Sequence, residues 1–398
     1  MHPRGLAIAL LPLVLLAGLI AIILRSGTIE KLGGTDVPAV ERLAFQRVEV
    51  TLDGFVATVL NDGPAPVTIA QVQVDDAYWA FTIEPDRVLN HLGQGRIMIP
   101  YPWVNGETHH IRLVTGTGLT FDHQLEVAVP SPRPGVQFLW LFALVGIYVG
   151  VIPVAIGLLW YPMVRQLRPA GLDFVLALTI GLLLFLLIDA TSEGVEIASA
   201  LPESFQGVLL LSFTALGAYL GLEAFTRWMH ARPGEGRHAG ADGWILALLI
   251  AVGIGLHNLG EGLAIGAAFS LGEMALGSLL IVGFALHNTT EGLAIVAPLA
   301  REAPDRHQAV TVTKLIQLGL VGGVPTILGA WLGGFVYSQV WALVFLGIGG
   351  GAIAQVVWQI LAQVSGDRPL GRYLATTPVL LGLFAGFSVM YATGMLIG

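Results

Sequence analysis

Residues 245–269 read ILALLIAVGIGLHNLGEGLAIGAAF, an apolar segment long enough to cross a membrane. A short pattern of His, Asn and Glu interrupts it, and the pattern returns in the next apolar segment at 287–299, HNTTEGLAIVAPL. The six polar residues of the two motifs are His257, Asn258, Glu261, His287, Asn288 and Glu291. A lone His in an apolar helix is usually a packed core residue. A duplicated pair of His and Glu is harder to explain by packing, because ionisable groups inside a membrane are costly and mark functional sites.

The composition indicates an integral membrane protein. Of the 398 residues, 55% are hydrophobic and only 12% are charged, whereas soluble domains carry about 25% charged residues. The chain contains no Cys, which excludes disulfides, thiolate metal sites and Cys nucleophiles. Any metal site must therefore use nitrogen and oxygen ligands. The formal net charge of −8 argues against nucleic acid as a partner.

Three domains are expected along the chain. Residues 1–27 contain an apolar run at 6–24, which predicts an N-terminal membrane anchor because no small-residue cleavage site follows it. Residues 28–135 form a domain of alternating polar and apolar residues, and residues 136–398 form a helical membrane domain. The spans predicted in the membrane domain are 137–161, 173–198, 206–228, 243–268, 273–299, 308–336, 339–363 and 374–397. The predicted fold class is therefore mainly α, with an eight-span bundle preceded by one anchor helix and a small β domain.

The second domain has the pattern of a β-sandwich. Its apolar runs are short, alternate with polar residues and are rich in Val, Ile, Thr and aromatic side chains. Such runs, separated by turn residues, predict a small antiparallel sandwich of the immunoglobulin-like kind. The seven predicted strands are VEVTL, FVATVL, VTIAQVQV, YWAFTI, GRIMIP, HIRLVT and HQLEVAV. The stretch PSPRPG at 130–135 predicts a linker to the first span.

Basic residues predict the orientation in the membrane. Lys and Arg are found on alternate loops of the membrane domain, whereas the loops at 199–205, 269–272 and 337–338 contain none. Since basic loops stay in the cytoplasm, the latter three loops, the β domain and the C-terminus are expected outside. The expected location is the plasma membrane, with several spans.

The two motifs have the geometry of a metal site. His257 and Glu261 are four residues apart, so they share one face of a helix, and His287 and Glu291 repeat this spacing. A short connection makes the two spans antiparallel neighbours, so the four side chains can converge near mid-membrane. Two buried carboxylates cannot both stay ionised cheaply, and one of them would hold a proton unless a cation neutralises both. Imidazole and carboxylate ligands suit Zn²⁺, and also Fe²⁺, Mn²⁺, Co²⁺ or Cd²⁺.

These motifs resemble those of the fourth and fifth spans of the ZIP family of divalent-metal transporters, especially its prokaryotic branch. The resemblance covers about 137–398 and leaves out the anchor and the β domain. It implies an eight-helix bundle in which one group of helices moves against another to give alternating access. It also implies that His257, Glu261 and Glu291 are primary metal ligands. By the same resemblance, the residues that line this path or an adjacent second site are His287, Asn258 and Asn288.

The chain departs from the family pattern in other spans. Val324 in the sixth span and Gln359 in the seventh stand where the family commonly has Glu, and Asp189 in the second stands where His is frequent, although Glu193 matches. Fewer carboxylates leave less negative charge for a second cation. We therefore expect one metal site, with Gln359 or Gln317 as a neutral neighbour. Asp189 and Glu193 are expected either on the pathway of the ion or at a solvated helix end.

The expected function is transport rather than catalysis. We expect no resident cofactor, and we expect Zn²⁺ or a similar ion to be the transported substrate. The partners are divalent metal ions, the lipid bilayer and a second copy in a homodimer, with the β domain serving dimerisation or partner docking. Two alternatives remain: a metal sensor that does not transport, built on the same scaffold, and an intramembrane metal-dependent hydrolase. The missing carboxylates favour the sensor, whereas no sequence feature marks a general base for the hydrolase.

Overall fold

The computed structural model describes residues 40–131, 135–231, 241–271, 274–301, 310–336, 338–365 and 369–395, together with a few residues between 15 and 25. The predicted anchor at 1–27 lies largely outside the described residues.

The β domain consists of two antiparallel sheets that share one core. One sheet has the strand order β1-β2-β7-β5, and the other has the order β4-β3-β8-β9 with β6 paired to β3. Phe55, Val59 and Ile97 of the first sheet pack against the second sheet, represented by Ile69 and Ile111. The strands are β1 Leu43–Thr51, β2 Gly54–Asn61, β3 Val67–Val74, β4 Ala77–Trp79, β5 Thr82–Glu84, β6 Val88–Leu89, β7 Gln94–Ile99, β8 His109–Thr115 and β9 Thr120–Leu125.

Two predicted strands differ from the structure. The run YWAFTI at 78–83 was expected as one strand, but it forms β4 and β5, which belong to different sheets. The chain crosses between the sheets at 80–81, and the alternation of side chains does not reveal which sheet a strand joins. The last strand, expected at 123–129, lies at 120–125 because its antiparallel pairing with β8 fixes its register.

Within the described part of the chain, eight helices are long and apolar enough to cross a membrane, which confirms a helical membrane domain. α1 spans Val136–Val164 and includes a π-helical segment, Ile147–Val151. α6 is interrupted at Val324, where Pro325 lacks the N–H that would continue the helix. The bounds are α2 Pro169–Ala200, α3 Gly207–Ala231, α4 Ala241–Leu271, α5 Met274–Arg301, α6 Val312–Gly323 and Pro325–Val336, α7 Gln339–Ser365 and α8 Thr377–Gly394.

The eight helices pack as two groups. α4 contacts both halves of α6, and α1 contacts α5 and α6. We call these four helices the α4–α5 bundle. α2 packs on α8 and α7, and α3 packs on α7, which makes a second group that we call the α2–α7 bundle. The two bundles meet mainly where α4 contacts α7 and where α2 contacts α5.

Glycines hold the helices of the α4–α5 bundle close together. A Cβ added at Gly262 of α4 would lie 2.1 Å from the carbonyl oxygen of Thr326 in α6. A Cβ added at Gly292 of α5 would lie 2.2 Å from the carbonyl oxygen of Val154 in α1. Only glycine permits such backbone contact, so these helices move as a unit if they move at all.

Glycines also permit close backbone contact within the α2–α7 bundle. The contacts of glycines between the two bundles are looser. A Cβ at Gly351 of α7 would lie 2.0 Å from the carbonyl oxygen of Ala215 in α3. Between the bundles, a Cβ at Gly349 would lie 3.2 Å from the Cα of His257. The structure places the tightest glycine contacts within the bundles.

The interface between the bundles is apolar at one end and open at the other. Towards the beginning of α4, side chains of both bundles share one hydrophobic core that includes Ile250, Leu183 and Val356. Towards the end of α4, a cavity of about 620 Å³ separates the bundles. Among the described residues, the interface is thus packed at one end of the helices and open at the other.

Candidate metal centre

The two sequence motifs meet where α4 packs against α5. α4 and α5 are continuous helices through both motifs, and all six polar residues are buried. The side chains of Asn258 and Asn288 have no exposed surface, and Glu291 has 1%. Burying so many polar groups costs free energy unless each group has a hydrogen-bond partner. The partners of these six side chains therefore determine how the cluster is stabilised.

Glu261 is the acceptor at the centre of the cluster. Its Oε1 accepts a short hydrogen bond from Nε2 of His287 and lies 3.3 Å from Nε2 of His257. Its Oε2 accepts a hydrogen bond of 3.0 Å from Nδ2 of Asn288. Glu261 therefore links its own helix to α5, and the predicted convergence of the two motifs is observed.

Glu291 is the least satisfied group of the cluster. Among the described residues, neither of its carboxylate oxygens has a hydrogen bond of normal geometry, although the amide of Asn258 lies nearby. Ligand atoms of His257, His287 and Glu291 all lie within 4.8 Å of one another. A buried carboxylate without partners is unfavourable, and a cation held by these three residues would provide the missing interaction.

The two asparagines are oriented by irregularities in neighbouring helices. Nδ2 of Asn288 donates to the carbonyl oxygen of Val149, 3.0 Å away in the π-helical segment of α1. Nδ2 of Asn258 donates to the carbonyl oxygen of Gly322, 3.1 Å away in the last turn before the break in α6. Carbonyl groups at such positions need external donors. Both Oδ1 atoms remain buried without a partner in the described part of the chain, so they are available as neutral ligands.

The cavity connects this cluster to one end of the helices. It is lined by His287 near the cluster and extends to Leu271 at the end of α4. Asp189 and Glu193 of α2 bring two carboxylates to its wall. Gly260 also lines it, and a Cβ added there would meet no atom within 4 Å. The wall is otherwise largely apolar, so the acidic side chains distinguish the route to the cluster.

The predicted neutral neighbours do not lie on this wall. Gln317 is exposed, and Gln359 is half-buried, and neither belongs to the described residues that line the cavity. Sequence missed Gln355, which is fully buried and donates from Nε2 to Oε2 of Glu223, 3.2 Å away. The signal for Gln355 in the sequence was its position one helical turn before Gln359. Glu223 also forms an ion pair with Arg227, at 2.8 Å.

The donor set determines which ions the cluster can hold. It offers imidazole nitrogens, carboxylate oxygens and amide oxygens, with no sulfur ligand in a chain that lacks Cys. Such ligands bind Zn²⁺ and the neighbouring divalent transition metals, while a site rich in imidazole is unfavourable for Mg²⁺ and Ca²⁺. Two acidic side chains match the charge of one divalent ion.

Comparison with known proteins assigns no family to the chain. No protein-family model matches the sequence, and no curated protein matches it either. Inference about function therefore rests on the motifs and on the geometry of the cluster.

Proposed function

We propose that the protein is a carrier that moves divalent transition-metal ions, foremost Zn²⁺, across the membrane. The observation that carries this proposal is the buried cluster of two His and two Glu from α4 and α5, positioned where the cavity ends. The repeated HNxxEG motif, which resembles that of the ZIP family, supports the same proposal. Fe²⁺, Mn²⁺, Co²⁺ and Cd²⁺ fit the same ligands and are secondary candidates.

The arrangement of the bundles supports alternating access. A carrier needs a substrate site that faces one side of the membrane at a time. Here the cluster adjoins a cavity on one side and a hydrophobic core on the other. Movement of the α4–α5 bundle against the α2–α7 bundle would transfer access from one side to the other, because the metal ligands lie at their interface.

The proposed direction is from the outside to the cytoplasm. The cavity extends to Ile197, Leu271 and Ala342. These residues are close in sequence to the segments 199–205, 269–272 and 337–338, which contain no Lys or Arg. By the positive-inside rule this end faces outward, together with the immunoglobulin-like β domain and the C-terminus. The protein would then reside in the plasma membrane and collect ions from outside.

Entry of the ion would displace protons. His ligands must be neutral and Glu ligands ionised to bind a metal, so affinity falls as pH falls. In the proposed path, Asp189 and Glu193 attract the hydrated ion into the cavity. His257, His287 and Glu291 then replace water around the ion, and Glu261 becomes a fourth ligand when its hydrogen bond to His287 opens.

Metal uptake into proteoliposomes tests the proposal. We expect Zn²⁺ uptake by the wild type to fall at least tenfold in Glu261→Gln and in Glu291→Gln, since each loses a charged ligand. Glu196→Gln is the matched control, because Glu196 is exposed on α2 and is not among the residues that line the cavity. Unchanged uptake in the double variant Glu261→Gln/Glu291→Gln would refute transport through this site. Tight Zn²⁺ binding by the wild type without uptake would favour the sensor alternative.

A further inference from the structure

The β domain is attached to the α2–α7 bundle by a compact polar contact. Nη1 of Arg42 lies 2.5 Å from Oε2 of Glu203, in the short connection between α2 and α3. The carboxylate of Asp62 accepts hydrogen bonds from the hydroxyl of Ser204 at 2.6 Å and from the backbone N–H of Glu203 at 3.1 Å. Each side thus supplies an acid and a donor to the other. We call these four residues the α2–α3 contact.

The same domain also touches the α4–α5 bundle. Strand β1 packs against α4, and Nη1 of Arg47 in β1 lies 3.4 Å from the carbonyl oxygen of Phe335 near the end of α6. Arg42 directly precedes β1, so one strand and its flanking residue contact both bundles.

The β-domain side of the α2–α3 contact is held in place by its own hydrogen bonds. Asn61 is fully buried, and its Nδ2 donates to the carbonyl oxygens of Ala65 and Leu89 at 2.8 and 2.7 Å. The backbone N–H of Asp62 donates to the carbonyl oxygen of Arg42 at 3.1 Å, which keeps the two contact residues side by side. The domain therefore presents its acid and its base as one preformed unit.

Both attachments lie at the open end of the molecule. α2 lines the cavity up to Ile197, shortly before the α2–α3 contact, and α4 lines it up to Leu271. The β domain therefore bridges the two bundles on the side from which the cavity is entered. A domain that is rigid and bound to both bundles opposes any rearrangement that changes their relative position at this end.

We infer that the β domain is a releasable clamp that stabilises the cavity-open arrangement of the two bundles. This inference rests on the proposed function, because it requires that the bundles move. The contact is solvent-exposed, with 46% and 82% exposure for the side chains of Arg42 and Glu203. Exposed ion pairs are weak and screened by salt, so the clamp biases the equilibrium and does not lock it.

Thiol labelling measures the clamp without relying on transport. The chain has no Cys, so Ala264→Cys on the cavity wall introduces a single thiol into the full-length protein. Its rate of reaction with a membrane-impermeant maleimide reports how often the cavity is open. In this background we expect Asp62→Ala to slow labelling by up to about threefold, since exposed charged contacts are weak. Asp86→Ala is the matched control, because Asp86 is exposed in the same domain and accepts a hydrogen bond from the adjacent Arg87.

A variant on the membrane-domain side of the α2–α3 contact controls for the possibility that Asp62→Ala misfolds the β domain. Glu203→Ala removes the partner of Arg42 from the membrane domain and should slow labelling to a similar degree. A second reporter, Leu119→Cys, places a thiol at the exposed turn between β8 and β9. This thiol should react with the maleimide at the same rate in all variants. Unchanged or faster labelling of Ala264→Cys in both Asp62→Ala and Glu203→Ala would overturn the clamp. Since labelling needs no metal flux, failure of transport and failure of the clamp give different results.

Discussion

At the scale of single residues, the two glutamates of the cluster have opposite environments. Glu261 accepts hydrogen bonds from His287 and Asn288, whereas Glu291 is buried without a partner of normal geometry in the described chain. Glu261 thus contributes to stability in the absence of metal. Burial of Glu291 lowers the stability of the metal-free protein, and binding of a cation would offset this loss.

This difference predicts opposite effects of the same substitution. In metal-free protein, we expect Glu291→Gln to raise the melting temperature, because it removes an unpaired buried acid, and Glu261→Gln to lower stability by about 1–3 kcal/mol. Both should lose the stabilisation that Zn²⁺ gives to the wild type. Thermal unfolding in detergent, with and without Zn²⁺, measures both effects. Equal destabilisation by the two substitutions would contradict the assigned environments.

The β domain supplies a prediction about pH. Burial, and to a lesser extent the neighbouring His110, lowers the pKa of His123, whose ring stacks on Phe45 at 5.1 Å. His123 therefore binds a proton less readily in the folded protein than in the unfolded chain. The free energy of unfolding is unaffected by this residue above about pH 6.5, and it falls as the pH drops below that value because the unfolded chain takes up the proton. His123→Phe should flatten this dependence. Thermal unfolding between pH 7.5 and 5 tests it, and an equal loss of stability in both proteins would argue against His123 as the cause.

The cluster was predictable at this scale, but its supporting contacts were not. Helical spacing and the cost of buried charge were sufficient to select His257, Glu261, His287 and Glu291, and the family resemblance added Asn258 and Asn288. Their hydrogen-bond partners are backbone carbonyls of α1 and α6, and sequence carries no signal for a contact with a distant main-chain atom. Gln355 was missed for the same reason, because the side chain with which it forms a hydrogen bond, Glu223, belongs to another helix.

At the scale of secondary-structure elements, α4 contains two glycines with contrasting surroundings. Gly262 faces the backbone of α6, and Gly260 faces the cavity. We expect Gly262→Ala to destabilise the protein by about 1–3 kcal/mol, because its Cβ would clash with Thr326. Gly260→Ala should be neutral or should stabilise by up to about 1 kcal/mol, since Ala favours the helix. Chemical or thermal unfolding of the two variants is the measurement, and similar losses would contradict the packing described here.

Elements were predicted with unequal success. The eight apolar helices follow from hydropathy, because length and composition alone decide whether a segment can span a membrane. The break of α6 at Val324 has a local cause in Pro325, which hydropathy does not register. The π-helical segment of α1 has no such local signal, and its Val149 carbonyl accepts a hydrogen bond from Asn288 in another helix. In the β domain, YWAFTI divides between two sheets because tertiary pairing, and not alternation, determines where a strand ends.

At the scale of the whole molecule, the cavity should control uptake. Ala264 lies on the cavity wall, about one helical turn from Glu261. We expect Ala264→Phe to reduce Zn²⁺ uptake by about tenfold, because the larger side chain obstructs the route to the cluster. Ala264→Ser, which is small, should leave uptake near the wild-type level. Uptake by Ala264→Phe at the wild-type rate would show that the ion does not pass through this cavity.

The central claim is that one divalent ion binds where α4 meets α5, and anomalous diffraction from Zn²⁺-soaked crystals tests it most directly. The account predicts one strong anomalous peak coordinated by His257, His287 and Glu291, with Glu261 as neighbour or fourth ligand and Zn–N distances of about 2.0–2.1 Å. It also predicts that the peak disappears in Glu291→Gln. A fully bound Zn²⁺ elsewhere, with no density between these side chains, would contradict the account.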